Sequence, residues 1–305
     1  MITKIRYADI DFAKYSESLE NACQNTDYAV KQFLDIVSDC QWFLLVYGDY
    51  EAIMPVSYVR KWGFTLILMP KLCQQLGIFS KEDLPDINKQ FYDYLNQNFL
   101  VVIYAFNGDN HFDFETQNKT SYLLKKDSYA NIKKNYRSHR RRNVRIMGDL
   151  IDNIKFKNNY QEDNKNFFLK NTKGTTSKKN SQNYFNIVKK LVENKIGSLI
   201  ILEFKNKIQS FVYLYRGHRS HYLSLFINEY PLQNPNLPSI MIDHCLKEYI
   251  EDKNFDFMGS EVENVAKFNE RFGAISYRYA ILINSKSTLM KNLMKRYRII
   301  TNFAP

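Results

Sequence analysis

The sequence predicts an α+β protein of two similar halves, each a mixed, mainly antiparallel sheet flanked by helices. Three observations carry this. Each half holds three short apolar strands separated by turn residues, and each meander leads through a loop to a helix and one more strand. The regular strand–helix alternation of a parallel doubly wound sheet is missing. The 305 residues contain only 10 glycines, too few for a dinucleotide fold or a propeller built on glycine-rich turns.

In the first half, residues 11–23 and 29–37 read as amphipathic helices, with Phe33, Leu34 and Val37 at helical spacing. Strands follow at 42–47, 52–59 and 64–69, turning at Gly48-Asp49 and at Gly63, and Pro70 closes the meander. Residues 86–98 read as a helix, 100–105 as a buried strand, 107–110 as a loop and 121–125 as a strand. The second half repeats the plan. A helix at 181–195 precedes strands at 198–204, 208–215 and 221–227, with Asn206 and Gly217 at the turns. A proline-containing loop at 230–238 leads to a helix at 239–252, a short strand at 255–258, a helix at 261–272 and a last strand at 276–284. The polar stretch 170–183 reads as a mobile loop. The length suits two medium domains, placed at 1–126 and 151–305 with a basic connecting helix at 127–150.

Composition excludes several classes. At 45% hydrophobic and 25% charged residues the chain can bury a real core. No run of 18 apolar residues exists, so no transmembrane helix is expected, and the first fifteen residues read as neither signal peptide nor lipidation site. A cytoplasmic location follows as the expectation. Cys23, Cys40, Cys73 and Cys245 lack CxxC spacing and histidine companions, so they read as free thiols and no metal is expected. The net charge of +11 is concentrated. Nine Lys/Arg and one Asp fall between positions 125 and 145, and five Lys/Arg with no acid between 286 and 298.

In the first of these segments Lys133, Arg137, Arg141 and Arg145 recur every four residues beside a partly apolar face of Tyr129, Ile132, Tyr136, Asn143, Val144 and Met147. Like charges at that spacing destabilise a helix by about 0.2–0.5 kcal/mol per pair. Phosphates of a tRNA or of a nucleotide-linked substrate would offset the repulsion, as would acidic side chains or solvent.

Two blocks of residues resemble FemAB-like, GNAT-type acyl-CoA N-acyltransferases. The first is Leu34-Asp35-Ile36-Val37, Trp42, Gly48-Asp49-Tyr50, Met54-Pro55, Pro70 and Gln74-Gln75-Leu76-Gly77-Ile78-Phe79. The second is Phe255-Asp256-Phe257-Met258-Gly259-Ser260, Val265-Ala266-Lys267-Phe268 and Arg271-Phe272-Gly273-Ala274. The resemblance implies two GNAT-like domains and transfer of an acyl or aminoacyl group from an activated donor, acyl-CoA or aminoacyl-tRNA, to a primary amine on a small molecule or peptide. The chain departs from the pattern at two places. Loop 231–238 has no glycine where the family holds a pyrophosphate, and Asn269 stands where FemAB members often carry a lysine.

In such a fold two strands of the second half part, and residues at their carboxyl ends face the gap. Glu229 and Glu261 are the candidate bases there, with Ser260 beside them. Ser260 equally suits a capping box with Glu263, and Glu261 equally complements the helix dipole. Candidate donor and substrate contacts are Tyr230, Asn234, Asn236, Ser239, Phe268 and Asn269, with Arg137, Arg141, Gln74 and Gln75. Amides at the helix start near Ser239 could hold a phosphate, while Pro238 suits a helix start with no ligand. The rival class is a noncatalytic GNAT-fold module that binds RNA or another polyanion through the basic helix.

Overall fold

A computed structural model describes residues 1–301 apart from 62, 159–161, 173–177 and 260–261, with no side-chain description at 149, 162, 178 and 295–301. The chain divides into two compact units, the second inserted into the first: Met1–Lys119 with Arg278–Pro305, and Thr120–Tyr277. The sequence reading placed the last strand and the C-terminal basic segment in the second domain. By contact, most of that strand and the whole segment group with the first unit.

The first unit begins with β1 (Ile2–Arg6), α1 (Phe12–Glu20) and α2 (Lys31–Ser38), followed by β2 (Trp42–Tyr47), β3 (Ala52–Lys61) and β4 (Phe64–Ile67). Next come β5 (Phe79–Ser80), α3 (Pro85–Asn98), β6 (Leu100–Val101) and β7 (Ile103–Ala105). The Asp11 carboxylate starts α1 by accepting from the amides of Ala13 and Lys14 at 3.0 and 3.1 Å. The β2–β3 turn needs Gly48, whose φ is +59° and whose added Cβ would meet the Glu51 carboxylate at 2.6 Å. The strand order is β1-β2-β3-β4-β6, with β5 on β3. β2 lies between two strands and buries both faces, which is why it reads as a continuous apolar run. The single strand expected over 100–105 is two strands. β6 pairs parallel with β4, and β7 pairs antiparallel with the late strand β14 (Ile275–Ile283).

The second unit starts within β8 (Gln117–Leu124) and continues with α4 (Tyr129–Lys134), α5 (Ser138–Arg145), α6 (Met147–Leu150), β9 (Ile154–Lys157), α7 (Glu162–Asn171) and α8 (Lys178–Glu193). It then runs through β10 (Gly197–Phe204), β11 (Lys207–Arg216), β12 (Ser220–Asn228), α9 (Leu237–Tyr249), β13 (Asn254–Asp256) and α10 (Glu263–Glu270) into β14. The chain ends with α11 (Lys286–Thr301) in the first unit. Strand order within the second unit is β8-β13-β12-β11-β10-β9. The β10–β11 turn is a two-residue loop with Lys205 and Asn206 both left-handed (φ 50° and 59°), which matches the twist of the flanking strands.

The repeated plan is real. In each unit an antiparallel meander runs through a helix into a strand that pairs parallel with the meander's last member: Leu66 opposite Leu100 in one, Ser220 opposite Asn254 in the other. Each sheet is therefore mixed and mainly antiparallel, and the fold is α+β.

Two expectations change. The loop expected over 170–183 is helical at its described ends, in α7 up to Asn171 and in α8 from Lys178, while its middle, 173–177, lies outside the described residues. The single basic helix expected over 127–150 is three short ones, α4, α5 and α6, with the longest interruption between Lys134 and Ser138. Helix α10 begins at Glu263 with Val262 as its cap residue, and the capping-box reading of Ser260 falls outside the described residues.

Candidate functional site

β12 and β13 pair over only three residues, Ser220–Tyr222 against Asn254–Asp256. β13 then ends, and Met258 takes a left-handed φ of 61° that turns the chain away, while β12 runs on to Asn228. Among the described residues, the Leu223–Asn228 edge of β12 has no strand beside it on that side. A cavity of about 510 Å³ opens there. β12 contributes Leu223, Phe226 and Asn228; Pro235 comes from the loop before α9, and Pro238 and Ser239 from its start. Phe257 also lines it, as do Asn264, Val265, Phe268 and Asn269 of α10 with Arg271. His139, Arg140 and Asn143 of α5 supply the remaining side.

Arg140 dominates the electrostatics. It is 2% exposed, its Nη1 donates to Ser239 Oγ, and its Nη2 donates to the Phe268 carbonyl at 3.3 Å. The guanidinium lies over the rings of Phe268 and Phe272, 4.1 and 4.3 Å from their centroids. Among the described residues its Nε has no hydrogen-bond partner. Burial, and then the nearby Arg271, lower its pKa from 12.5 to about 10, so it stays cationic at neutral pH.

The sequence reading named Arg137 and Arg141 and missed Arg140. Both named residues are exposed: the Arg137 amide donates to the Arg271 carbonyl at 3.0 Å, and Arg141 Nη1 to the Lys134 carbonyl at 3.3 Å. The signal for Arg140 was present in the sequence. Ile132, Tyr136, Arg140 and Val144 recur every four residues, and all four are buried. One cation in line with three apolar side chains marks an arginine facing inward.

Ser239, Phe268 and Asn269 are brought together at the cavity. Tyr230 is 77% exposed and joined to Pro231 by a cis peptide. Asn234 Oδ1 accepts from the Asn236 amide at 2.9 Å, and Asn236 caps α9 without a side-chain bond. The bare amides expected at this helix start are occupied. Leu237 donates to Asn234, Ser239 and Ile240 both donate to Asn236, and Pro238 has no N–H. This turn therefore does not fit the pyrophosphate of coenzyme A held on backbone amides.

Glu229 lies outside the cavity, in a separate groove with Lys155, Lys157, Lys170 and Lys207. Its carboxylate accepts from Lys170 at 3.1 Å and from Gln209 at 2.8 Å. Gln74 and Gln75 belong to the first unit, where Gln75 is buried and its Oε1 accepts from the Gly108 amide at 2.8 Å. Ser260 and Glu261 lie outside the described residues. No cluster of three or more potential metal ligands occurs, and no helix is long and apolar enough to cross a membrane, among the described residues.

Two buried carboxylates border this region of the second unit. Asp243 on α9 accepts from the hydroxyls of Tyr129 and Tyr136 at 2.9 Å. Asp256, at the end of β13, accepts from Ser121 at 3.1 Å, the Met258 amide at 2.6 Å and Tyr277 at 2.8 Å. Desolvation outweighs these bonds and lifts Asp256 from 3.8 to about 6. The folded state thus holds this proton more tightly than the unfolded chain does. Stability should fall as pH rises from about 4 to about 6, by about 3 kcal/mol. Urea unfolding across that window should show the fall, and Asp256→Asn should flatten it.

No family model and no curated protein matches the sequence. Solved structures do. FemX superposes with a TM-score of 0.63 at 11% identity, covering 94% of this chain and 99% of its own. A tandem GNAT protein from the clavulanic acid biosynthesis pathway, solved without AcCoA, gives 0.56 at 8% identity over 92% and 97%. L-PGS from Bacillus licheniformis gives 0.51 at 12% identity over 96% and 97%. At these identities the likeness is one of fold, and it spans nearly the whole chain. The protein has the tandem GNAT-like fold of the FemAB-type acyltransferases it resembles.

Proposed function

We propose that this chain is an N-acyltransferase that moves an acyl or aminoacyl group from an activated ester or thioester to a primary amine in the cavity of the second unit. The parting of parallel β12 and β13 beside that cavity is the observation that carries the reading. Amine attack on a carbonyl builds an oxyanion, and the backbone edge of β12 is positioned to donate to it. An ammonium of pKa near 10 must also lose a proton at neutral pH. We assign that step to Glu261, which precedes the α10 wall of the cavity in sequence, rather than to Glu229, whose carboxylate is engaged elsewhere. Glu261→Gln should lower the rate about a hundredfold and remove the acidic limb of the pH profile, with Glu229→Gln at the wild-type rate. The reverse pattern would reassign the base.

The donor is acyl-CoA or aminoacyl-tRNA. The occupied amides of α9 favour a donor that does not rely on an amide-held pyrophosphate, and the exposed face of Lys133, Arg137, Arg141, Arg142 and Arg145 suits a polyanion. Incubating the protein with each donor and a panel of primary amines, and reading product masses, tests the function. A donor-dependent acyl adduct on the amine is the expected result. If tRNA is the donor, Arg137→Gln with Arg141→Gln should flatten the salt dependence of binding by about 1–2 in slope with little change in stability. RNA binding without transfer from any donor would favour the noncatalytic module.

A further inference from the structure

Among the described residues, the cavity presents a buried cation with no counter-ion. Arg140 has no carboxylate within 4.0 Å among the described residues, and its Nε is unpartnered. Holding an ion out of water in this way is costly. The rings of Phe268 and Phe272 offset only part of that cost. A second guanidinium, that of Arg271, lines the same cavity, and none of its described lining residues is an acid. The rest of the wall is largely apolar, with Leu223, Phe226, Pro238, Phe257 and Val265. An uncompensated guanidinium persists in a folded protein when something that binds there completes it.

We propose that the cavity takes its substrate by a compact anionic group, a carboxylate or a phosphate, bound by the Arg140 guanidinium, with the apolar wall receiving the adjoining part of the same molecule. Ser239 and the Phe268 carbonyl hold the guanidinium in place, so it meets the anion already oriented. The inference takes the site from the transferase reading, but the binding it describes requires no turnover.

The test follows the arginine Nε–H resonances of the wild-type protein by NMR during titration with acetate, methyl phosphate and, as a control, chloride. The Arg140 signal is identified by its loss in Arg140→Gln, or in Arg140→Lys should that variant not fold. A saturable shift with acetate assigns a carboxylate, and one with methyl phosphate assigns a phosphate. Substitution should weaken the anion that binds by about tenfold or more. No saturable shift with either anion, or equal affinity in the variant, overturns the proposal. Acyl transfer with a KM unmoved in Arg140→Gln overturns the anion site and leaves the transferase reading standing. Anion binding at Arg140 with no transfer from any donor supports the site and removes the transferase reading.

Discussion

Asp243→Ala is expected to destabilise the protein by about 2–4 kcal/mol in urea unfolding, because it strips the partner from two tyrosine hydroxyls at once. Tyr136 is 1% exposed, and its hydroxyl has Asp243 as its partner at 2.9 Å. An unsatisfied buried hydroxyl costs about 1–3 kcal/mol, and the loss at half-buried Tyr129 adds to it. Burial already raises the pKa of Asp243, so removing the carboxylate recovers part of its desolvation and keeps the total moderate. Asp243→Asn keeps an acceptor of the same shape and should lose only about 1 kcal/mol. Equal losses in the two variants would show that a neutral acceptor of the same shape cannot replace the carboxylate, and that its charge carries the contact.

Val265→Trp should reduce kcat/KM about a hundredfold while leaving stability within about 0.5 kcal/mol. Val265 lines the cavity from α10 yet is 43% exposed, so an indole there fills ligand space without overpacking the core. Steady-state kinetics with the active donor, beside an unfolding curve, separate the two effects. A variant with full activity would place the chemistry elsewhere.

Much of this architecture is legible in the sequence because turns and strands there obey local rules. Trp42–Tyr47 reads as a buried strand from its unbroken apolar run, and the turn at Asn206 is visible from its residue type. β1, β5 and β9 escape because strands of two to five residues carry too little periodicity. α7 escapes because its polar surface resembles a loop. The same limit applies to the site. The ends of β12 and β13 follow from strand order, so a gap there is foreseeable. The inward turn of Arg140 is foreseeable from its spacing with Ile132, Tyr136 and Val144, but the rings of Phe268 and Phe272 that cover its guanidinium, more than a hundred residues away, are not. Glu229 shows the converse. It stands at a strand end as expected, but Lys170 and Gln209 draw its carboxylate into a neighbouring groove.

The most direct test of transfer in this cavity is a crystal structure with the donor, or its product, that supports turnover. The account predicts the reacting carbonyl between the Leu223–Asn228 edge of β12 and α10, with an anionic group of the ligand on Arg140. A ligand bound in the first unit, or in the groove of Lys155, Lys157 and Lys207, would contradict it.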